Sequence, residues 1–380
     1  MGRRGPPDRR PGAVPVSART FFAAAHVVAD PQAGNGPGRP AAVDWAATLA
    51  FREHLWSLGL GVAEAMDTAQ RGMGLDWPAA RELIRRTGEA ARARARTTGV
   101  RPLLACGAGT DQLPDGEPST LDAVTAAYQE QIEVVEEAGA QVILMASRAL
   151  AATAKSPEDY AEVYGRLLAQ VREPVILHWL GTPFDPALEG YWGSADLDAA
   201  ADSVLRIIRD RPEKVDGIKV SLLEADREIA LRRRLPDGVR MYTGDDFNYP
   251  TLIEGDEEGF SHALLGVFDP LAAPAARALE ALDRGEPGGA AEFRRILDPT
   301  VPLARHIFQA PTRHYKTGVV FLAHLNGHQD HFTMVGGEER GRDAAHLTEL
   351  HRLAAEAGAL TDPALAEQRL AAYLKGVDAS

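Results

Sequence analysis

The stretch Gly217-Ile218-Lys219-Val220-Ser221-Leu222-Leu223 is apolar but for Ser221 and one lysine, and it reads as the core of a buried strand over residues 215–221. The chain carries 41 basic residues, of which only five are lysines: Lys155, Lys214, Lys219, Lys316 and Lys375. Arginine thus serves nearly every place where a generic positive charge suffices. A guanidinium stays protonated and cannot act as an amine nucleophile, whereas a lysine amine in an apolar setting loses its proton readily. Lys219, alone among the five, falls in the middle of an expected buried strand.

Outward from this stretch, short apolar runs alternate with helical periodicity. Expected strands cover 20–29, 61–66, 101–106, 141–146, 174–179, 215–221, 239–243 and 261–267. Expected helices lie between and after them, at 43–58, 77–95, 120–138, 157–171, 196–209, 225–235, 249–255 and 274–283. Asp76 is the expected N-cap of the second, with Pro78 in its first turn. Eight strand-helix units without a glycine-rich dinucleotide turn favour a closed (β/α)8 TIM barrel of the α/β class over an open doubly wound sheet. From residue 286 the pattern is helical only, at 289–309, 312–325, 342–357 and 363–373. The expected organisation is a basic, disordered tail over 1–18, a barrel over 19–285, and a C-terminal helical extension over 286–380 packed on the barrel.

The 380 residues carry a net charge of -13, which argues against nucleic acid or an anionic membrane surface as partner and leaves small molecules. One cysteine, Cys106, excludes an intrachain disulfide and a multi-cysteine zinc site, as in a reducing compartment. No apolar run reaches the length of a membrane span, so a cytoplasmic location is expected.

Barrels place chemistry where strands end and loops begin. Those ends offer His26 and Asp30, then Glu64, Asp67 and Thr68, then Cys106 through Thr110. Ser147 and Arg148 follow, then His178, Lys219 with Ser221, Asp245 with Asp246, and Asp269. Lys219 suits attack on a ketone or aldehyde carbonyl, if its amine is depressed from about 10.4 toward neutrality; its alternative is an ion pair with Asp245 or Asp246. His178 could shuttle protons, or be a core histidine bonded to a backbone carbonyl. Of Asp245 and Asp246, one should face the pocket and the other anchor a loop. The glycine-rich turn at 106–110 could cradle an anion but reads better as an ordinary tight turn, with Cys106 a small core residue. His324 and His328 stand one turn apart, with Asp330 or His331 as a third metal ligand, yet Gly327 between them should end the helix and spoil the pair.

Four stretches carry a family resemblance. They are residues 43–59, ending Leu55-Trp56-Ser57-Leu58-Gly59; Ala138-Gly139-Ala140; Pro174-Val175-Ile176-Leu177-His178-Trp179; and GIKVS at 217–221 paired with Thr243-Gly244-Asp245-Asp246. Over residues 20–285 the chain resembles the dihydrodipicolinate synthase and N-acetylneuraminate lyase superfamily of class I aldolases. Within it, the chain looks closest to a bacterial family designated a domain of unknown function. The resemblance puts Lys219 on the Schiff-base lysine and His178 on the catalytic tyrosine. The chain departs from the family in that histidine, in the approximate match at Asp67-Thr68, and in the missing arginine after the fifth strand.

The resulting expectation is a Schiff-base class I lyase or aldolase acting on a 2-oxo acid or related keto compound, by carbon-carbon bond cleavage or formation or by dehydration. Lys219, His178, Thr68 and Asp245 would be catalytic; Asp67, Ser147, Arg148, Ser221, Asp246 and His26 would bind substrate. No cofactor and no metal are expected. The partner is a small-molecule substrate, without nucleic acid or membrane, and the resemblance implies a homo-oligomer. Two alternatives stand: a metal-dependent barrel lyase or isomerase using His26, Glu64, Asp67, Asp245 and His178, and a non-catalytic small-molecule-binding barrel.

Overall fold

The computed structural model describes residues 18–114, 119–285 and 288–378, so the expected tail over 1–18 lies outside the described residues except for Ala18. Eight parallel strands close on themselves in chain order: β1 (Phe21–Ala24), β2 (Gly61–Glu64), β3 (Leu104–Ala108), β4 (Gln141–Leu144), β5 (Val175–Leu180), β6 (Val215–Ser221), β7 (Arg240–Thr243) and β8 (His262–Leu265). Closure is made by β1 on β8, with Phe22 in register with Leu264. The (β/α)8 barrel expected from the alternation is the fold.

The helices of the barrel are α1 (Trp45–Ser57), α2 (Trp77–Thr98), α3 (Leu121–Ala138), α4 (Arg148–Thr153), α5 (Pro157–Gln170), α6 (Leu197–Asp210), α7 (Ala225–Arg232), α8 (Tyr249–Glu254) and α9 (Ala272–Asp283). Their starts are written locally. Asp44, Asp76 and Thr120 each accept the backbone N–H three residues on, and Ser156 with Asp159 forms a capping box. Helix α4 has no counterpart among the sequence expectations, because six residues are too few to display a period; Ser147 caps it.

After the barrel come α10 (Gly289–Leu297), α11 (Val301–Ile307), α12 (Tyr315–Leu325), α13 (Ala344–Glu356) and α14 (Pro363–Asp378). The single helix expected over 289–309 is divided between α10 and α11 by a 3-10 turn at Asp298–Thr300, since Pro299 and Pro302 cannot donate into an unbroken ladder. No helix among the described residues is long and apolar enough to cross a membrane.

Strand alternation sorts side chains into two cores. Phe22, Ala63, Ala105, Ile143, Ile176, Tyr242 and Leu264 pack together inside the barrel, while the larger cluster lies between strands and helices. Glu64, next to the inward Ala63, therefore faces the helices. There Arg52 of α1 grips it through two hydrogen bonds of 2.8 Å, and Thr87 of α2 donates a third at 2.7 Å. Arg52 and Glu64 are both fully buried. Ala65 then takes a left-handed backbone (φ 53°), which shifts the alternation so that Met66 enters the interior.

Removing one partner of a buried pair strands the other charge. Arg52→Met is expected to cost roughly 3–5 kcal/mol in denaturant unfolding, and the double change with Glu64→Leu to cost clearly less. A second buried carboxyl, Glu228 on α7, accepts from Ser261 Oγ at 2.7 Å, and burial pushes it up to about 8. Its proton is thus held in the folded state while the unfolded chain has lost it, so its contribution falls as pH rises from about 4.5 to 8. Glu228→Gln is expected to flatten that slope and to be the more stable form at pH 8 in thermal unfolding.

Candidate active site

Lys219 sits inside the barrel on β6, in register with His178 on β5 and Tyr242 on β7. It lines a small cavity at the barrel mouth, about 10 Å³, room for roughly one water. Sharing that cavity are Asp67 and Thr68 from the 3-10 turn after β2, Ser221 from the end of β6, Asp246 after β7, Phe184 from the loop after β5, and Tyr315 from the start of α12. The close approach beside Lys219 needs Gly244: a Cβ there would stand 2.8 Å from Lys219 Cε.

Burial lowers the Lys219 amine from its ordinary value, because the ammonium form loses its hydration; Asp67 and then Asp246 pull the other way. Asp246, buried in the same cavity, is pushed up to about 7 by desolvation, although its Oδ1 accepts the Val267 N–H at 2.8 Å. The two groups therefore approach each other from opposite sides of neutrality. His178 is fully buried and held well below its ordinary value, first by burial and then by the charge of Lys219. Its Nε2 lies 3.4 Å from Ser221 Oγ, and its Nδ1 has no hydrogen-bond partner among the described residues.

The acid pair divides between a loop and the pocket. Asp245 accepts from the Phe247 and Asn248 backbone N–H groups at 2.8 and 3.0 Å and from Asn248 Nδ2 at 2.8 Å, so its carboxylate is taken up by the turn. Asp246 is the acid that reaches the lysine cavity. His26 lies apart from that cavity: its Nδ1 bonds Asp269 Oδ2 at 2.8 Å and its ring packs on Phe51. Ser147 and Arg148 line a second, larger pocket of about 640 Å³, which shares Asp67 and Leu180 with the lysine cavity. Tyr191 steadies that wall, its hydroxyl accepting the Ser147 N–H at 3.1 Å.

The five groups named for a metal do not converge. Glu64 belongs to Arg52 outside the barrel, and no group of three His, Cys, Asp or Glu among the described residues has metal-binding geometry. His324 and His328 also part, since α12 ends at Leu325 and Gly327 takes φ 82°; His328 turns to His54 instead. The turn at 106–110 departs from expectation because β3 continues to Ala108. Arg71 donates to the carbonyls of Ala65 and Gly107, and the Gly109 N–H is spent on Gln131 Oε1 at 2.7 Å. Cys106 is buried among apolar neighbours, which pushes its thiol up.

Tyr315 of the site, and Lys316 next to it in the chain, escaped the sequence reading. Tyr315 shares a 2.8 Å hydrogen bond with Thr68 Oγ1, stacks on Phe308 at 4.3 Å, and fits over Gly266, where a Cβ would lie 3.3 Å from its ring. Burial raises its phenol well above the usual range. Lys316 follows it, buried, with Nζ 3.1 Å from Met73 Sδ and 3.2 Å from Arg313 O, and burial brings it down to about 8. Asp67 is the foremost opposing charge for both Lys219 and Lys316. The scarcity of lysine that singled out Lys219 applies equally to Lys316.

The family model described as "Protein of unknown function (DUF993)" matches residues 3–377. No curated protein matches the sequence. Among solved structures, dihydrodipicolinate synthase from Oceanobacillus iheyensis is 15% identical with a TM-score of 0.62, covering 88% of this chain and 95% of its own. The Thermotoga maritima enzyme of that name is 14% identical with a TM-score of 0.64, covering 90% and 99%. The 4-hydroxy-tetrahydrodipicolinate synthase of Methylacidiphilum fumariolicum is 16% identical with a TM-score of 0.64, covering 90% and 96%. The likeness is one of fold: this chain has the dihydrodipicolinate synthase architecture, and the match extends past the barrel into the helices that follow it. For the site itself, reductive methylation across a pH series, followed by peptide mass spectrometry, is expected to show Lys219 reacting with a midpoint below the ordinary lysine value of about 10.4.

Proposed function

The chain belongs to the DUF993 family, and we propose that it is a class I lyase whose Lys219 forms a Schiff base with a 2-oxo acid or related keto compound. The bound substrate then makes or breaks a carbon-carbon bond or eliminates water. One observation carries this reading: a desolvated lysine amine faces the mouth of a closed barrel beside an acid poised near neutrality. The shared fold supports it without deciding it, since one fold hosts many chemistries.

In the first step the Lys219 lone pair attacks the carbonyl carbon, and the carbonyl oxygen takes a proton. Asp246 supplies it, being buried enough to hold a proton near pH 7. The amine gives up its own proton, the hydroxyl leaves as water after a second protonation, and an iminium remains. A bonding pair from the adjacent carbon-carbon or carbon-hydrogen bond flows into the iminium as an enamine. The proton released or required there passes through Thr68 and Tyr315, already hydrogen-bonded at 2.8 Å. Protonation of the enamine and hydrolysis by water return the free amine.

His178 stands behind Ser221, and its neutral imidazole, with one N–H and one lone-pair nitrogen, gives or takes a proton at the Ser221 hydroxyl according to its tautomer. Asp245 holds the turn that presents Asp246. Asp67 stabilises whichever of Lys219 and Lys316 carries charge. With room for roughly one water beside the amine, a carbonyl enters from the larger pocket along the wall the two share at Asp67 and Leu180.

Incubation with pyruvate and a panel of sugar-derived keto acids under borohydride is expected to leave a mass adduct on Lys219. Lys219→Arg is expected to abolish both adduct and turnover, because guanidinium cannot form the iminium. A non-catalytic binding barrel would instead keep ligand binding in that variant and give no adduct in the wild type. Absence of an adduct across the whole panel sinks the Schiff-base reading.

A further inference from the structure

The larger pocket beside the lysine cavity has a charge balance that its neighbour lacks. Its volume of about 640 Å³ exceeds what a three-carbon keto acid needs, and it meets the lysine cavity at Asp67 and Leu180. Five carboxylates line it, and among the described residues none is within ion-pair reach of Arg39 or Arg313. Asp111 is paired with Arg71, and Asp185 with Arg148 at 2.5 Å. Asp76 accepts the Ala79 N–H at the start of α2. Glu338 lies 3.6 Å from His314, and Asp67 faces the two buried lysines.

Two of the four arginines on the wall are left over. Arg39, in the loop after β1, and Arg313, just before α12, are exposed at the pocket, and among the described residues neither guanidinium has an ion-pair or hydrogen-bond partner. They lie far apart in the chain, and the 3-10 segment Val335–Gly341 lies against both neighbourhoods, with Glu338 3.6 Å from His314 beside Arg313. A Cβ on Gly337 would lie 3.2 Å from Pro37 Cδ, and Gly336 and Glu338 of that same 3-10 segment line the pocket.

We infer that this pocket holds the far end of the substrate, and that Arg39 and Arg313 select a keto compound ending in a second anion, a carboxylate or a phosphate. The guanidinium fork suits either group, since both offer paired oxygens to two N–H donors. The inference rests on the Schiff-base reading of Lys219, which fixes the near end of the substrate. It adds that the loop after β1 and the segment before α12 together determine which substrate is taken, and that a neutral tail is discriminated against.

The test compares borohydride trapping on Lys219 by three six-carbon probes: 2-oxoadipate, a 2-oxo acid bearing a terminal phosphate, and 2-oxohexanoate, which has no second anion. At least one anionic probe is expected to trap faster than 2-oxohexanoate by about tenfold or more, and the faster of the two identifies the anion. In the Arg39→Gln/Arg313→Gln double variant that ratio is expected to fall toward one. Equal trapping of all three probes, or a ratio preserved in the double variant, overturns the inference. Should no probe be trapped, the Schiff-base reading fails separately, and calorimetry with adipate and inorganic phosphate then decides the subsite. Binding that is kept in Lys219→Arg and lost in the double variant upholds it; no binding, or binding kept in the double variant, overturns it.

Discussion

Taking a lysine amine out of water is the constraint around which the barrel mouth is arranged. An ammonium ion without hydration is costly, so a buried lysine must find counter-charge, give up its proton, or both. Around Lys219 both happen: Asp67 and Asp246 supply opposite charge, while burial pulls the amine down and pushes Asp246 up. Each group's proton affinity is set first by its removal from water, with the other's charge a smaller opposing influence. The packing around the amine explains why glycine follows β7 at position 244, where a Cβ would strike Lys219 Cε.

The helices after the barrel belong to the same electrostatic unit. Lys316 and Tyr315 bring a second buried amine and a buried phenol to Asp67 and Thr68, so one carboxylate serves two lysines from distant parts of the chain. Asp246 adds to Asp67 at Lys219 and Glu338 adds to it at Lys316, yet desolvation outweighs these charges and both amines are lowered. These helices also narrow the mouth, through Phe308 and Tyr315 over Gly266. The small cavity at the lysine and the wide pocket beside it are consequences of that cover.

Much of the fold was legible because barrel strands and their helices carry local signals. The 215–221 run is β6 from end to end, and Asp76 caps α2 as its side chain and Pro78 imply. Helix α4 was hidden by its shortness and the α10–α11 break by an apolar pattern that continues across two prolines. Glu64 looked like a site residue from its position at a strand end, yet alternation from the inward Ala63 sends it outward to Arg52. In the acid pair, alternation alone says that the two differ. Which one meets the lysine depends on the Asn248 turn, whose N–H groups claim Asp245.

The sequence by itself determined the eight-fold alternation that closes a barrel and, through the scarcity of lysine, the residue at its centre. Only the tertiary structure decided the company Lys219 keeps. Thr68 and Tyr315 meet across 247 positions of chain, and Arg39 and Arg313 reach one pocket from far apart in the chain. Periodicity encodes which face of an element is buried; it does not encode which distant element covers that face. The shifts of Lys219, Asp246 and Lys316 come from that covering, because desolvation is a property of the assembled packing.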